Sequence, residues 1–164
     1  MKKIVLSLMI MFAALAANAQ ESKWFATGSF SIWHNDEADE TLFSIMPEVG
    51  YNFNDKWAAG LEIGYSHAGD DDMFIFSPFA RYTYYQNNLV NLFIDGNIGY
   101  CSNGDNGIEI GFKPGIALNL NKHFSLQAKF GFLGYRDSYA GTLDGFGLSF
   151  NPAGALSFGV HYEF

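Results

Sequence analysis

A single cysteine, Cys101, stands in the 164 residues. No internal disulfide can form, so a crosslinked scaffold is excluded. Basic residues are scarce: nine Lys and Arg face 17 Asp and Glu, for a net charge of −8. That balance excludes a nucleic-acid partner, which would call for a basic patch. Beyond the first 19 residues there is no run of about 18 or more apolar residues, so a transmembrane helix is excluded. No stretch with helical periodicity appears either. What the chain has in quantity is aromatic side chains, 18% of the total, and 18 glycines.

The opening MKKIVLSLMIMFAALAANA has the form of an export leader. Lys2 and Lys3 make a basic head, and Ile4 to Ala17 is apolar but short of the roughly 20 residues that span a bilayer. Ala17-Asn18-Ala19 supplies small-x-small cleavage chemistry. Residues 1–19 are therefore expected to be a signal peptide and residues 20–164 the mature domain. Removal takes two basic residues and no acidic one, which leaves 145 residues and a net charge of −10. No cysteine stands directly after the apolar stretch, so a lipid anchor is not expected.

The mature chain alternates by twos almost throughout, the signature of strands. Eight segments are expected: 24–33, 42–53, 57–67, 74–85, 89–101, 108–120, 124–135 and about 146–164. Tight Asn-rich connections follow the even segments, as in Asn54-Asp55-Lys56, Gln86-Asn87-Asn88 and Asn121-Lys122-His123. The odd segments are followed by polar stretches read as longer loops: HNDEADE, AGDDD, SNGDNG and RDSYAGTLDG. An even number of antiparallel strands with short turns at one end and longer loops at the other is the transmembrane β-barrel pattern. The fold class is accordingly all-β, an eight-stranded antiparallel up-and-down barrel.

A soluble barrel would turn its apolar face inward. Volume argues against it here, because an eight-stranded barrel is only wide enough inside for side chains. One face carries Phe, Tyr, Trp, Ile and Leu. The other is largely small, with residues such as Ala58, Gly60, Gly64, Gly99, Gly111, Gly115, Ser125, Gly131, Ser157 and Gly159. The bulky face lacks Asp, Glu, Lys and Arg apart from Arg136, read as lipid-facing at the end of segment seven. Arg or Lys at the lipid midplane costs roughly 2–4 kcal/mol. Pro47, Pro78 and Pro114 fall on the bulky face and suggest local bulges.

The inward charges suggest a belt of Glu48, Glu62, Arg81, Asp95, Lys113 and Lys129. Pairing Phe53 with Trp57 sets Glu48 opposite Glu62. Pairing Gly69 with Phe74 sets Glu62 opposite Arg81. Pairing Gln86 with Val90 sets Arg81 opposite Asp95, and Cys101 with Gly107 sets Asp95 opposite Lys113. Lys129 is then a diagonal neighbour. Directly opposed Glu48 and Glu62 repel unless Arg81 bridges them. Tyr51, Phe53, Trp57, Tyr84 and Phe124, with Tyr162 and Phe164, gather at the tight-turn end and read as an aromatic girdle of the kind found at headgroup level.

The ending LSFGVHYEF resembles the C-terminal assembly signal of bacterial outer-membrane barrels, with Phe158, Val160, Tyr162 and Phe164 at its positions. MPEVGYNFNDKWAAGLEIGYS resembles the second hairpin of the small OmpX/OmpA-like outer membrane β-barrel domain family, and FSPFARYTYY and FKPGIALNL look like later strands. AALAANAQ is similar to export signals common in Bacteroidota. The resemblance implies location in the outer membrane with both termini in the periplasm. Its implied partners are the barrel-assembly machinery during biogenesis and outer-membrane lipid or lipopolysaccharide, and the implied state is a monomer. The chain has no room for the peptidoglycan-binding domain of full OmpA-like proteins.

Catalytic chemistry finds little foothold. His123 and Ser125 have a His-x-Ser spacing seen in a barrel lipid A deacylase, but at a tight turn, on the wrong leaflet. His67 lies near the outer rim on the lipid face with no outward serine beside it. His34, Ser102 and Ser138 are loop residues that could converge. Asp36, Glu37, Asp39, Glu40 and Asp70 to Asp72 lack calcium-loop spacing and read as solvated loops. Cys101 reads as an inert thiol, and inward-facing His161 as hydrogen-bonded rather than metal-ligating. No catalytic, cofactor or metal residue is assigned. A structural or surface-interaction barrel with a plugged polar interior is expected, with a small-solute or ion channel and a lipid A-modifying enzyme as alternatives. A barrel of this kind should run faster on a denaturing gel unboiled than boiled, and identical mobilities would contradict the fold.

Overall fold

The computed structural model describes residues 23–35, 40–68, 71–103, 105–140, 142, 144–150 and 156–164. The leader at residues 1–19 and the acidic residues Asp36, Glu37, Asp39 and Asp70 lie outside them, as do the side chains of residues 30–43. Ten strand segments run in chain order: β1 (Trp24–Asn35), β2 (Glu40–Asn52), β3 (Trp57–Ala68), β4 (Asp71–Gln86), β5 (Val90–Asn103), β6 (Asp105–Asn119), β7 (Phe124–Phe130), β8 (Phe132–Asp137), β9 (Gly145–Ser149) and β10 (Leu156–Glu163). Every pairing is antiparallel. β7 and β8 are two halves of one stave, and β9 and β10 the halves of the last. β1 to β6 pair in sequence, β6 pairs with β7 and β8, β7 with β10, and β10 with β1. The result is a closed eight-stranded barrel, its seam joined by β10 between β1 and β7.

Closure explains the aromatic chain end. Tyr162 pairs with Ala26 on one side and Phe124 on the other. The Phe164 N–H donates to the Trp24 carbonyl at 3.1 Å. Large apolar side chains cover the outside: Ile98 is 61% exposed, Ile110 54% and Phe112 56%.

The tight turns share one device. The side-chain oxygen of Asn54 accepts from the N–H groups of Lys56 and Trp57, that of Asn87 from Leu89 and Val90, and that of Asn121 from His123 and Phe124. An asparagine carbonyl standing in for backbone is what an Asx turn requires.

The opposite end departs from the sequence expectation. The described residues of AGDDD and SNGDNG are strand rather than long loops: Ala68 pairs with Asp71, and Asn103 with Asp105. β4, β5 and β6 thus reach 16, 14 and 15 residues. About 9–11 residues cross a bilayer, so these ladders project beyond it. The same extension moves the β3–β4 register. Glu62 lies opposite Ser77 and Arg81 opposite Ala58, not opposite each other. The prolines make no bulge. Pro78 pairs with Leu61 and Pro114 with Ile94 in unbroken register, and β2–β3 keeps its register across Pro47. The shift in β4 falls instead between Thr83 and Tyr85.

A second irregularity corrects two side-chain placements. From Gly115↔Lys129 to Phe112↔Leu133, β6 advances three residues and its partner four. The extra residue sits at Gly131, whose φ is +79°. A glycine-centred bulge of this kind inverts the faces beyond it. Phe132, placed on the lipid face by alternation, is therefore inside at 3% exposure, and Arg136 is likewise buried. Replacing Gly131 by Val should cost roughly 1–3 kcal/mol through the left-handed backbone, read as a lowered urea midpoint. Gly28→Ala, where a Cβ meets nothing, should leave the midpoint nearly unchanged. Equal midpoints would contradict the bulge.

Candidate functional site

The interior is not uniformly small. Phe25, Ile75, Phe79 and Phe93 point inward and are buried. Each lies against a glycine on a neighbouring strand: a Cβ at Gly50 would meet the Phe25 ring, one at Gly60 Phe79, one at Gly115 Phe93, and one at Gly64 Ile75. The glycines thus make room for rings. Inward parity of these four residues was the available signal, overshadowed by the small residues around them.

Arg81 stands among these rings. Its guanidinium carbon lies 4.0 Å from the Phe93 ring centroid, 5.3 Å from Phe79 and 5.5 Å from Phe25. Its nitrogens make a bidentate pair with Asp95 (Nε to Oδ1 2.7 Å, Nη2 to Oδ2 2.8 Å). Nη2 also reaches Glu48 Oε1 at 2.9 Å, and Nη1 donates to Gln127 Oε1 at 3.1 Å. Lys129 Nζ completes the cluster, 2.5 Å from Glu48, 3.2 Å from Asp95 and 3.4 Å from Glu62. Buried charges persist only with partners and hydrogen bonds, and this cluster supplies both from β2, β3, β4, β5 and β7. Directly opposed Glu48 and Glu62 share Lys129 as the bridging cation, where Arg81 was expected.

Lys113 belongs elsewhere. It lies opposite Asp95 on the backbone, but its ammonium pairs with Glu109 at 2.5 Å. Arg136 Nε reaches Glu109 at 3.0 Å, and Asn97 Nδ2 donates to the same carboxylate at 2.6 Å. This second cluster was missed because the bulge at Gly131 that turns Arg136 inward is not visible in alternation. Above it, Tyr139 folds into the lumen at 5% exposure and packs with Ile75 and Cys101. Ser138 and Ala140 on either side adopt φ of +51°. The buried Cys101 thiol accepts from the Ala140 N–H and donates to the Ser138 carbonyl. Ser102 does not meet Ser138, whose N–H binds Asp144. The side chain of His34 lies outside the described residues.

Tyr139 thus lies in the lumen toward one end, with two ionic layers below it. At the tight-turn end the lumen opens as a cup of about 710 Å³. His161 lies in the cup's lining, its Nδ1 2.9 Å from Thr27 Oγ1. Around the same end Tyr51 stacks edge-on with Trp24 and Phe53, Trp57 lies against Tyr82, and Phe124 against Tyr162. Tyr84 projects outward. Phe158 and Val160 also face outward on β10. At the opposite rim, outside the span, Asp72 accepts from the Tyr65 hydroxyl at 2.8 Å and lies 2.8 Å from His67 Nδ1. The Tyr65 hydrogen bond, then His67, holds the Asp72 carboxyl below its ordinary range. That contribution is present above the ordinary carboxylate pKa and is lost as pH falls through the lowered value.

The profile of the outer membrane protein beta-barrel domain family matches residues 4–164. The chain belongs to that family. Membership in the outer membrane protein beta-barrel domain family gives the aromatic and aliphatic outer face its solvent, the acyl chains of the outer membrane. Solved structures share the fold at low identity. The N-terminal β-barrel domain of Pseudomonas aeruginosa OprF aligns with a TM-score of 0.58 and 14% identity, covering 87% of this chain and 98% of that one. Neisserial surface protein A aligns at 0.51 and 14%, covering 86% and 95%. A de novo designed transmembrane β-barrel aligns at 0.53 and 10%, covering 88% and 98%. No curated protein matches the sequence.

Removing Arg81 would strand Glu48 and Asp95 on one remaining cation. Arg81→Met is expected to cost about 3–5 kcal/mol in urea unfolding followed by tryptophan fluorescence. Lys56→Met, at an exposed turn, should stay within about 0.5 kcal/mol. Equal losses would contradict a structural cluster.

Proposed function

We propose that the protein is a non-enzymatic structural or surface-interaction barrel of the outer membrane whose lumen does not conduct. The observation that carries this reading is the Arg81–Asp95–Glu48–Lys129 cluster, which fills the mid-lumen from four strands. An eight-stranded lumen has little width to spare, and three aromatic rings occupy what the charges leave. The inturned Tyr139 supports the same conclusion from the other end. The channel alternative would need all of these groups to move.

Among the described residues the enzyme alternative finds no nucleophile beside a candidate base. His67 is oriented by Asp72 at the rim, as a base would be, but a third reacting group is also required. Its strand neighbours are Phe43 and Asp72. His123 and Ser125 are engaged separately, with the Glu163 carbonyl and with Asn119.

In this reading the tight turns and both termini face the periplasm, and the extended ladders face outward. The C-terminal Phe158, Val160, Tyr162 and Phe164 serve recognition by the assembly machinery. The monomeric barrel contacts lipid and lipopolysaccharide through its bulky face. The refolded protein in a planar bilayer should give no reproducible unitary current steps. Stable large steps would overturn the sealed reading, and a change in lipid A mass between cells with and without the gene would overturn the non-enzymatic one.

A further inference from the structure

The cup at the tight-turn end plays no part in sealing the lumen. Its volume of about 710 Å³ lies within the roughly 300–1,000 Å³ of small-molecule sites. Seven asparagines and two glutamines line it, while Phe93, Ala117 and Leu120 are its only apolar residues.

Some of these amides are committed to structure. Asn54, Asn87 and Asn121 hold the turns through Oδ1, and Asn91 and Asn119 bind each other. Others are not. Among the described residues, the side chains of Gln86 and Asn88 and the Nδ2 groups of Asn54 and Asn121 make no hydrogen bond. The floor repeats the pattern. Gln127 is 4% exposed and accepts from Arg81 through Oε1, yet its Nε2 has no partner among the described residues. His161 is held through Nδ1 by Thr27, which leaves Nε2 without a protein partner in the lining. A nearly buried amide with a donor open to the cavity, ringed by exposed amides free of protein partners, can exchange water for the polar groups of a ligand.

The chemistry of that set is specific. Amides offer donors and acceptors together and carry no charge. Lys23 and Lys122 at the rim are offset by Asp55 and Glu163, and Arg81 in the floor is neutralised by Asp95 and Glu48, so the cup selects neither sign. A peptide would need apolar pockets for its side chains, and three apolar residues do not provide them. We infer that the cup is a binding site for a neutral saccharide of one or two rings, entering from the tight-turn end. Hydroxyls of the sugar engage Gln127 and His161 at the floor and Gln86 and Asn88 at the wall. The inference is independent of whether the barrel conducts.

The test uses the full mature barrel, ¹⁵N-labelled and refolded in a phosphocholine detergent so that no glycosidic headgroup competes. Cellobiose, maltose, lactose and chitobiose are titrated in turn, with glycerol and tri-alanine as controls. At least one disaccharide should shift the side-chain amide signals of Gln86, Asn88 and Gln127 saturably, with signals at the loop-end rim unmoved. The Gln86→Ala/Asn88→Ala variant should keep its gel heat-modifiability and bind about tenfold more weakly. The inference is overturned if no disaccharide shifts these amides, if glycerol shifts them at the same concentrations, if tri-alanine alone does so, or if the double variant binds unchanged.

Discussion

The Arg81 guanidinium is the point on which the architecture turns. It is a permanent charge inside a cylinder whose outside is hydrocarbon, so it persists only if the protein surrounds it with counter-charge. Asp95 and Glu48 supply that, Lys129 balances their excess, and Phe93, Phe79 and Phe25 pack its faces. The contributing strands lie on different sides of the barrel. The cluster is therefore a tie across the lumen.

The rest of the interior follows from the same shortage of space. Rings such as Phe25 and Phe93 fit because the facing wall is glycine at Gly50 and Gly115. Bulk that cannot be accommodated goes outward, where family membership places lipid. The turn end needs no such filling. Asparagine side chains close its hairpins, and the space they ring stays open as the cup.

Strand number, face assignment and the closing role of the C-terminal strand were legible because a period of two leaves only one choice of face once volume and charge are considered. The Glu48–Glu62 alignment was legible because the tight turn at Asn54 pins register. Arg81 meets Asp95 as expected although Gln86 pairs with Asn91 rather than Val90, because the shift between Thr83 and Tyr85 offsets the difference. At the other end register was lost at the β3–β4 crossing alone, since Cys101 pairs with Gly107 and Asp95 with Lys113 as expected. AGDDD reads as loop by composition, yet its residues continue the ladder to Asp71 and carry Arg81 away from Glu62. Faces were lost at Gly131, since one extra residue with positive φ inverts everything after it, Phe132 and Arg136 included. The Glu109–Lys113–Arg136 cluster was hidden for that reason alone. The lumen plug at Tyr139 depends on a non-repeating loop conformation at Ser138 and Ala140, which alternation does not encode.

Hydroxyl-radical footprinting in native outer-membrane vesicles tests most directly that the bulky face meets acyl chains while charge fills the cylinder. Ile94, Ile98 and Phe130 should be oxidised far more slowly than turn residue His123, and should reach comparable rates only after urea extraction. Oxidation of these three in intact vesicles at the rate of His123 would mean that water covers the face assigned to lipid, and the inside-out arrangement would be wrong.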